Sequence, residues 1–328
     1  MIDPVEDLPH EPQDVPLWSE TYLWTAYDPA RRVGFYLHQG VTAFDPRLWR
    51  STFGCCLPNG DLLVTKSYGR PPDDRSTGAA VLHATCDVPL ERWTVNIDGA
   101  ARLVSRDESR ARLISDGLPT KMRMQVTFDG TAPVFSPGAA SWGRLHHDQP
   151  CAARGRLEYG DQAMDFDGTG YRDHSMGPRD LSGYRGSDWC EAWFPSGRFF
   201  YVTDITWDPS EHSMRRGFIF DGGTYQFVEI KSMPVLSEAA VDPSAVRLSF
   251  VGQDGPADIS GEIENVIRFT HKLPHELCLG TDRDSTTSTD LAVLDCMTRY
   301  SWEGEVGFGL CEWILPMSEL RKADVLRW

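Results

Sequence analysis

The chain is short of the features that mark a nucleic-acid or membrane protein. Basic charge is scarce: 32 Lys and Arg stand against 48 Asp and Glu, a net charge of −16, whereas a phosphate backbone or an anionic membrane surface rewards clustered Lys and Arg. No window approaches the ~18 consecutive apolar residues of a spanning helix. The opening MIDPVEDLPHEPQDVPLW places acids and prolines where a secretory leader carries basic residues and an apolar run. The eight cysteines include no C-x-x-C, and a chain of this length needs no disulfides, so they read as reduced, buried thiols. These absences argue for a cytoplasmic protein with no nucleic-acid partner and no integral membrane contact; nothing in them forbids a homodimer.

Several catalytic signatures are missing as well. There is no Walker A sequence, and the run from Gly168 to Asp173 has no third glycine to complete a dinucleotide fingerprint. Ser175 has no glycine two residues before it, as a nucleophile elbow requires, and no α/β pattern surrounds it.

What the chain does have is period-two alternation: Trp93, Val95, Ile97; Met122, Met124, Val126, Phe128; Phe199 through Trp207; Ile263 through Phe269. This is strand patterning. Between such runs stand turn pairs suited to hairpins, at Asn59-Gly60, Asp98-Gly99, Asp129-Gly130, Asp167-Gly168 and Asp221-Gly222-Gly223. Helices are few, with short ones expected over 237–241 and in the tail from Met317. An all-β sandwich or barrel follows. Ser136-Pro137-Gly138 and Gln149-Pro150 mark a seam, predicting domains at 1–145 and 146–328, each long enough to close one small antiparallel barrel. The 11 Trp, 15 Phe and 10 Tyr suit barrel cores first and an apolar pocket second.

One stretch looks dedicated to chemistry: GTGYRDHSMGPRD, Gly168 to Asp180. Its glycines and Pro178 suggest a shaped loop or strand end. Asp173, His174 and Asp180 offer two carboxylates and an imidazole, but with no second His at ligand spacing neither a metal nor another cofactor is expected. Acid–base chemistry remains, with Arg172 and Arg179 holding carboxylates ionised while burial raises the pKa of another. In an extended segment Tyr171, Asp173 and Ser175 face one way and Arg172, His174 and Met176 the other. The competing reading is a buried ion-pair network with His174 as a satisfied core histidine. His38, His146 and His147 read as surface or hydrogen-bonded groups before pocket residues.

At this motif the sequence resembles the lipocalin-like family that includes the hydroxyneurosporene synthases, or acyclic-carotenoid hydratases. The family pattern G-x-G-x-R-D-H-S-W-G-x-R-D is met by Gly168, Gly170, Arg172, Asp173, His174, Ser175, Gly177, Arg179 and Asp180, with Met176 where Trp is usual. His147-Asp148-Gln149, the late GFGLCEWI with Glu312, and the opening SETYLWTAYD with Glu20 and Asp28 also match. The resemblance implies two lipocalin-like antiparallel barrels as a pseudo-duplicate and an apolar small-molecule substrate, isoprenoid or aromatic. It implies a cofactor-independent lyase or isomerase that hydrates or dehydrates a C=C bond. Asp173 or His174 would be the general acid, Asp180 or Glu312 would orient it or activate water, and Tyr171 would lend a hydroxyl. Arg172, Arg179, Ser175, Met176 and His147 would bind or orient. A non-catalytic carrier of a hydrophobic metabolite, or a cyclase or pericyclase on the same fold, is the alternative.

Overall fold

The computed structural model describes residues 2–111, 117–136, 145–180, 183–207, 214–234, 243–272, 276–282, 290–318 and 320. The chain divides into two compact units. Unit 1 comprises Met1–Val104 with Asp116–Asp180, and unit 2 comprises Ser105–Ser115 with Leu181–Trp328.

Unit 1 holds β1 (Trp18–Asp28), β2 (Val33–Val41), β3 (Trp49–Cys56), β4 (Leu62–Gly69), β5 (Ser76–Ala79), β6 (Leu82–Val88), β7 (Arg92–Val104), β8 (Leu118–Gly130), β9 (Leu145–Tyr159) and β10 (Gln162–Pro178). They form one antiparallel sheet in the order β4-β3-β2-β1-β10-β9-β8-β7-β6-β5. Pairing of Leu62, Leu63 and Val64 on β4 with Val104, Leu103 and Arg102 on β7 closes eight of these strands into a ring, a size whose interior side chains can fill. Trp24, Trp93, Phe35, Phe53 and Phe128 fill it, so most of the aromatics here are core. A 3₁₀ turn, Pro4–Asp7, precedes β1; Asp3 caps it by accepting from the Val5 N–H, and Asp7 is fully buried.

Unit 2 holds β11 (Tyr184–Trp193), β12 (Phe199–Trp207), β13 (Met214–Asp221), β14 (Thr224–Phe227), β15 (Glu229–Ser232), β16 (Ala245–Gly252), β17 (Gly255–Lys272), β18 (Glu276–Leu279), β19 (Leu291–Trp302) and β20 (Glu305–Pro316), with the helix α1 (Arg106–Ala111). Nine strands run β14-β13-β12-β11-β20-β19-β17-β16-β15, and β18 pairs with β17. The Val228 N–H, between β14 and β15, donates to Gly217 O on β13 at 3.0 Å and draws the two ends of this sheet together into a nearly closed barrel. Cys190, Cys296 and Cys311 lie in its core, and all eight cysteines are free.

Two expectations need correcting. The seam near 137–150 is not a domain boundary, because β1 pairs with β10 along ten residues and both β9 and β10 belong to unit 1. The GTGYRDHSMGPRD stretch, read as a shaped loop or strand end, is the end of strand β10 down to Pro178. Gly168 serves close approach: a Cβ there would stand 2.1 Å from Tyr27 O on β1, while Gly177 has the left-handed φ of 128° that favours glycine. Asp98-Gly99 and Asp167-Gly168 therefore sit inside strands, and after Asp129-Gly130 the next strand begins only at Leu145. Asn59-Gly60 and Asp221-Gly222-Gly223 do make hairpin turns. The helix expected over 237–241 and all of the tail except Met317, Ser318 and Leu320 lie outside the described residues. Among the described residues no helix is long and apolar enough to cross a membrane.

Candidate functional site

The motif strand β10 lies between β1 and β9, with Tyr22 opposite His174, Trp24 opposite Arg172, His174 opposite His147 and Arg172 opposite Gln149. Strand alternation then sorts the motif onto two faces. Arg172, His174 and Met176 join Glu20, Tyr22 and Trp24 of β1 and His147 and Gln149 of β9 on the inward face, while Tyr171, Asp173 and Ser175 join His146 and Asp148 on the outward one. The alternation read from the sequence is the one observed.

On the inward face a buried charge network centres on Asp7. Its Oδ1 accepts from Arg172 Nη1 at 2.6 Å and from His147 Nε2 at 3.1 Å. Its Oδ2 accepts from Leu90 N at 2.6 Å, Trp93 Nε1 at 2.9 Å and Arg172 Nη2 at 3.3 Å. Burial raises the carboxyl pKa, but Arg172 and His147 outweigh it and hold Asp7 well below the usual carboxylate range. Burial lowers His147 to about 4, so it is neutral and donates from Nε2. Gln149 Nε2 donates to Leu90 O at 2.8 Å and its Oε1 accepts from Arg172 Nε at 2.9 Å. Leu90 has φ 64°, a strained value for a leucine, and the network grips its backbone on both sides.

Beside it, Glu20 Oε1 takes His10 Nδ1 at 2.8 Å and His174 Nε2 at 2.9 Å. The His174 ring stacks on Tyr22 at 3.9 Å. Burial alone would raise Glu20; the two imidazole hydrogen bonds bring it below its ordinary value. Burial lowers His174.

The outward face carries a different arrangement. Ser175 stands directly opposite His146 in the β9–β10 ladder, and Asp173 opposite Asp148. His146 Nδ1 lies 2.6 Å from Ser175 Oγ, and its Nε2 lies 3.1 Å from Asp148 Oδ2. Tyr171 donates its hydroxyl to Asp148 Oδ1 in a short hydrogen bond. Burial pushes the His146 pKa down, yet Asp148 and Asp173 pull it above the ordinary histidine value. A fully buried tyrosine, a buried carboxylate, an imidazole and a serine thus form one row, linked by two hydrogen bonds and by the 3.1 Å His146–Asp148 contact between them, a set of groups able to hold and pass a proton. Arg179 Nη2 reaches Thr21 Oγ1 at 3.4 Å, and Asp180 is exposed.

Unit 2 has its own buried acids. Asp295 on β19 pairs directly opposite Glu312 on β20. Burial and the facing Glu312 drive Asp295 well above the carboxylate range, and burial, only partly relieved by Asp295, holds Glu312 at about 7. Glu191 accepts from Leu310 N at 3.1 Å, and burial raises it to about 8.

The structure accordingly splits the expected site. Tyr171, Asp173 and Ser175 come together; His174, Arg172, Met176 and His147 lie inside the unit 1 barrel; Asp180 is an exposed residue just past the end of β10; Glu312 belongs to unit 2. Asp7 and His10 had no signal in the sequence, arising from a proline-rich opening far along the chain from Arg172, His147 and His174. His146, set aside as a surface or hydrogen-bonded residue, stands in the middle of the outward row.

Solved structures share this architecture. The putative AttH of Nitrosomonas europaea matches with a TM-score of 0.59 at 12% identity, over 93% of this chain and 97% of that one. Kievitone hydratase of Nectria haematococca matches with a TM-score of 0.57 at 10% identity, over 96% and 93%, and CghA with 0.56 at 10%, over 92% and 88%. Identities this low establish the double-barrel, lipocalin-like fold and nothing finer. No curated protein matches the sequence. One family model spans almost all of the chain, residues 3–316, and the chain belongs to that family, described as Domain of unknown function (DUF7064).

Proposed function

We propose that the protein is a cofactor-independent lyase or isomerase that moves protons on a small apolar substrate, with hydration or dehydration of a C=C bond as its reaction. The observation that carries this reading is the buried row Tyr171–Asp148–His146–Ser175. Asp148 and Asp173 pull the His146 pKa above the ordinary histidine value, which suits it to the role of proton donor; Ser175 Oγ, 2.6 Å from Nδ1, passes that proton on while giving its own to the alkene carbon. The C=C electron pair forms the new C–H bond, the adjacent carbon becomes electron-deficient, and water adds there. Asp173, half-buried on the same face, takes the proton that water releases. Dehydration is the reverse sequence. Tyr171 fixes Asp148, which fixes the imidazole, so both are positioning residues. The Asp295–Glu312 pair of unit 2, which holds a proton near neutrality, is a second acid of the right strength. Support by likeness comes from the fold shared with a protein named a kievitone hydratase and with CghA, solved with Sch210972.

The test is native mass spectrometry before and after exposure to small apolar metabolites, on wild type and on His146→Gln. Wild type should return a bound molecule changed by the mass of one water, carrying solvent oxygen when hydrated. His146→Gln should bind it and turn it over about 10²–10⁴-fold more slowly, the usual worth of a general acid. A ligand returned unchanged by wild type would establish a carrier instead. Product without solvent oxygen or loss of water would indicate a cyclase.

A further inference from the structure

The inward cluster of unit 1 takes no part in that proton transfer, and its geometry suits another task. His10 follows the 3₁₀ turn, Glu20 lies near the start of β1, and His174 is on β10, so three separate elements converge. Two imidazole nitrogens approach the same Glu20 Oε1, at 2.8 and 2.9 Å, and the three ligand atoms all lie within 4.8 Å of one another. Each imidazole presents a ring nitrogen edge-on to the carboxylate while its face is engaged elsewhere, in the 5.6 Å stack between the two rings and the 3.9 Å stack of His174 on Tyr22. The rings are therefore aimed before any ligand arrives.

We propose that His10, Glu20 and His174 bind a divalent transition-metal ion, with zinc the best match to the donor set. Two neutral imidazoles and one carboxylate are ligands that zinc takes in tetrahedral geometry with bonds of about 2.0–2.2 Å, which spaces neighbouring ligand atoms roughly 3.3 Å apart. The two nitrogen–oxygen separations need widen by only about 0.5 Å, the two nitrogens lie within 4.8 Å of each other, and His10, the one ligand outside the sheet, can supply the adjustment. The ion would be structural: it would tie the opening segment to β1 and β10, three residues after the Asp7 carboxylate that Arg172 requires. The set escapes sequence reading because the second histidine lies 164 positions from the first in the chain.

The experiment uses tag-free full-length protein stripped with a chelator, then titrated with Co²⁺ and, separately, Zn²⁺. One equivalent of Co²⁺ should produce the visible absorption of a tetrahedral site, one equivalent of Zn²⁺ should abolish it, and the thermal midpoint should rise with free Zn²⁺ as a native-state ligand demands. His10→Ala, in a half-buried position outside the sheet, should fold, shown by an unchanged circular dichroism spectrum, and lose at least about tenfold in affinity. Glu20→Gln, of the same shape without the anion, should lose binding likewise. Wild type that takes up no stoichiometric ion, or a folded His10→Ala that binds as tightly as wild type, overturns the proposal. Neither result bears on turnover by the outward row.

Discussion

The two units bury acids in opposite ways. In unit 1, Asp7 meets a guanidinium and an imidazole, Glu20 meets two imidazoles, and both carboxyls sit below their ordinary values although burial pushes the other way. In unit 2, Glu191 has only a backbone N–H, and Asp295 and Glu312 have chiefly each other, so burial wins and all three are raised. The lesson is that burial alone does not tell a structural acid from a chemical one. A carboxylate with a buried cation is held ionised and lends itself to architecture, while one without is held near its proton and lends itself to transfer.

The largest effect should come from taking the cation away in unit 1. Arg172→Met leaves Asp7 buried with its main counter-charge gone, a loss of about 3–5 kcal/mol, read as a lower urea midpoint. Asp7→Asn added to it should restore part of the loss, because the uncompensated charge goes with it. A double variant as unstable as Arg172→Met would mean that Arg172 acts through packing, for instance on Trp93, whose ring centroid is 6.0 Å away.

In unit 2 the corresponding substitution should stabilise. Glu191 has a folded value of about 8 against an ordinary 4.5, so the native state binds more protons than the unfolded state between those values. Stability contributed by this group is full at the acid end and is lost as pH rises through the window. Glu191→Gln keeps an acceptor for the Leu310 N–H and has no charge to bury. Its stability should equal that of wild type near pH ~5 and exceed it by on the order of 3 kcal/mol near pH ~9. Denaturation curves at both pH values decide it, and an equal offset at both would show that the carboxyl ionises without cost.

A smaller change is expected on the outward face. Tyr171→Phe removes one buried hydrogen bond to Asp148, worth about 1–2 kcal/mol, and leaves the imidazole's ion pair. The His146 resonance, followed by NMR against pH, should keep a raised pKa in that variant and lose it in Asp148→Asn.

The strands and the two faces of β10 were legible because alternation is a local property of the chain. Tyr171, Asp173 and Ser175 could be separated from Arg172 and His174 on that basis alone. The domain boundary was not legible, since it depends on β1 finding β10, about 150 residues later, and turn-forming residues do not announce which strands will pair. Gly168 looked like a loop glycine because its reason, the Tyr27 carbonyl packed against it, lies on another strand. Asp7 and His10 are the extreme case: nothing about an aspartate and a histidine among prolines says that a barrel interior holds Arg172, Glu20 and His174 for them.

The smallest effect completes the comparison by supplying its zero. Arg123 on β8 and Asp98 on β7 also form a cross-strand ion pair, at 3.4 Å, but their side chains are 68% and 75% exposed. Water already solvates both charges, the long side chains give up rotamer freedom to meet, and salt screens what attraction is left. Arg123→Gln should therefore shift the urea midpoint by less than the measurement resolves, at low and high salt alike. The residue types match those of Asp7 and Arg172, so a null result here beside a large one there would assign the difference to burial and not to the identity of the pair. A comparable loss at both positions would instead mean that arginine removal is costly wherever it is made, and the contrast between the two units would no longer follow from desolvation.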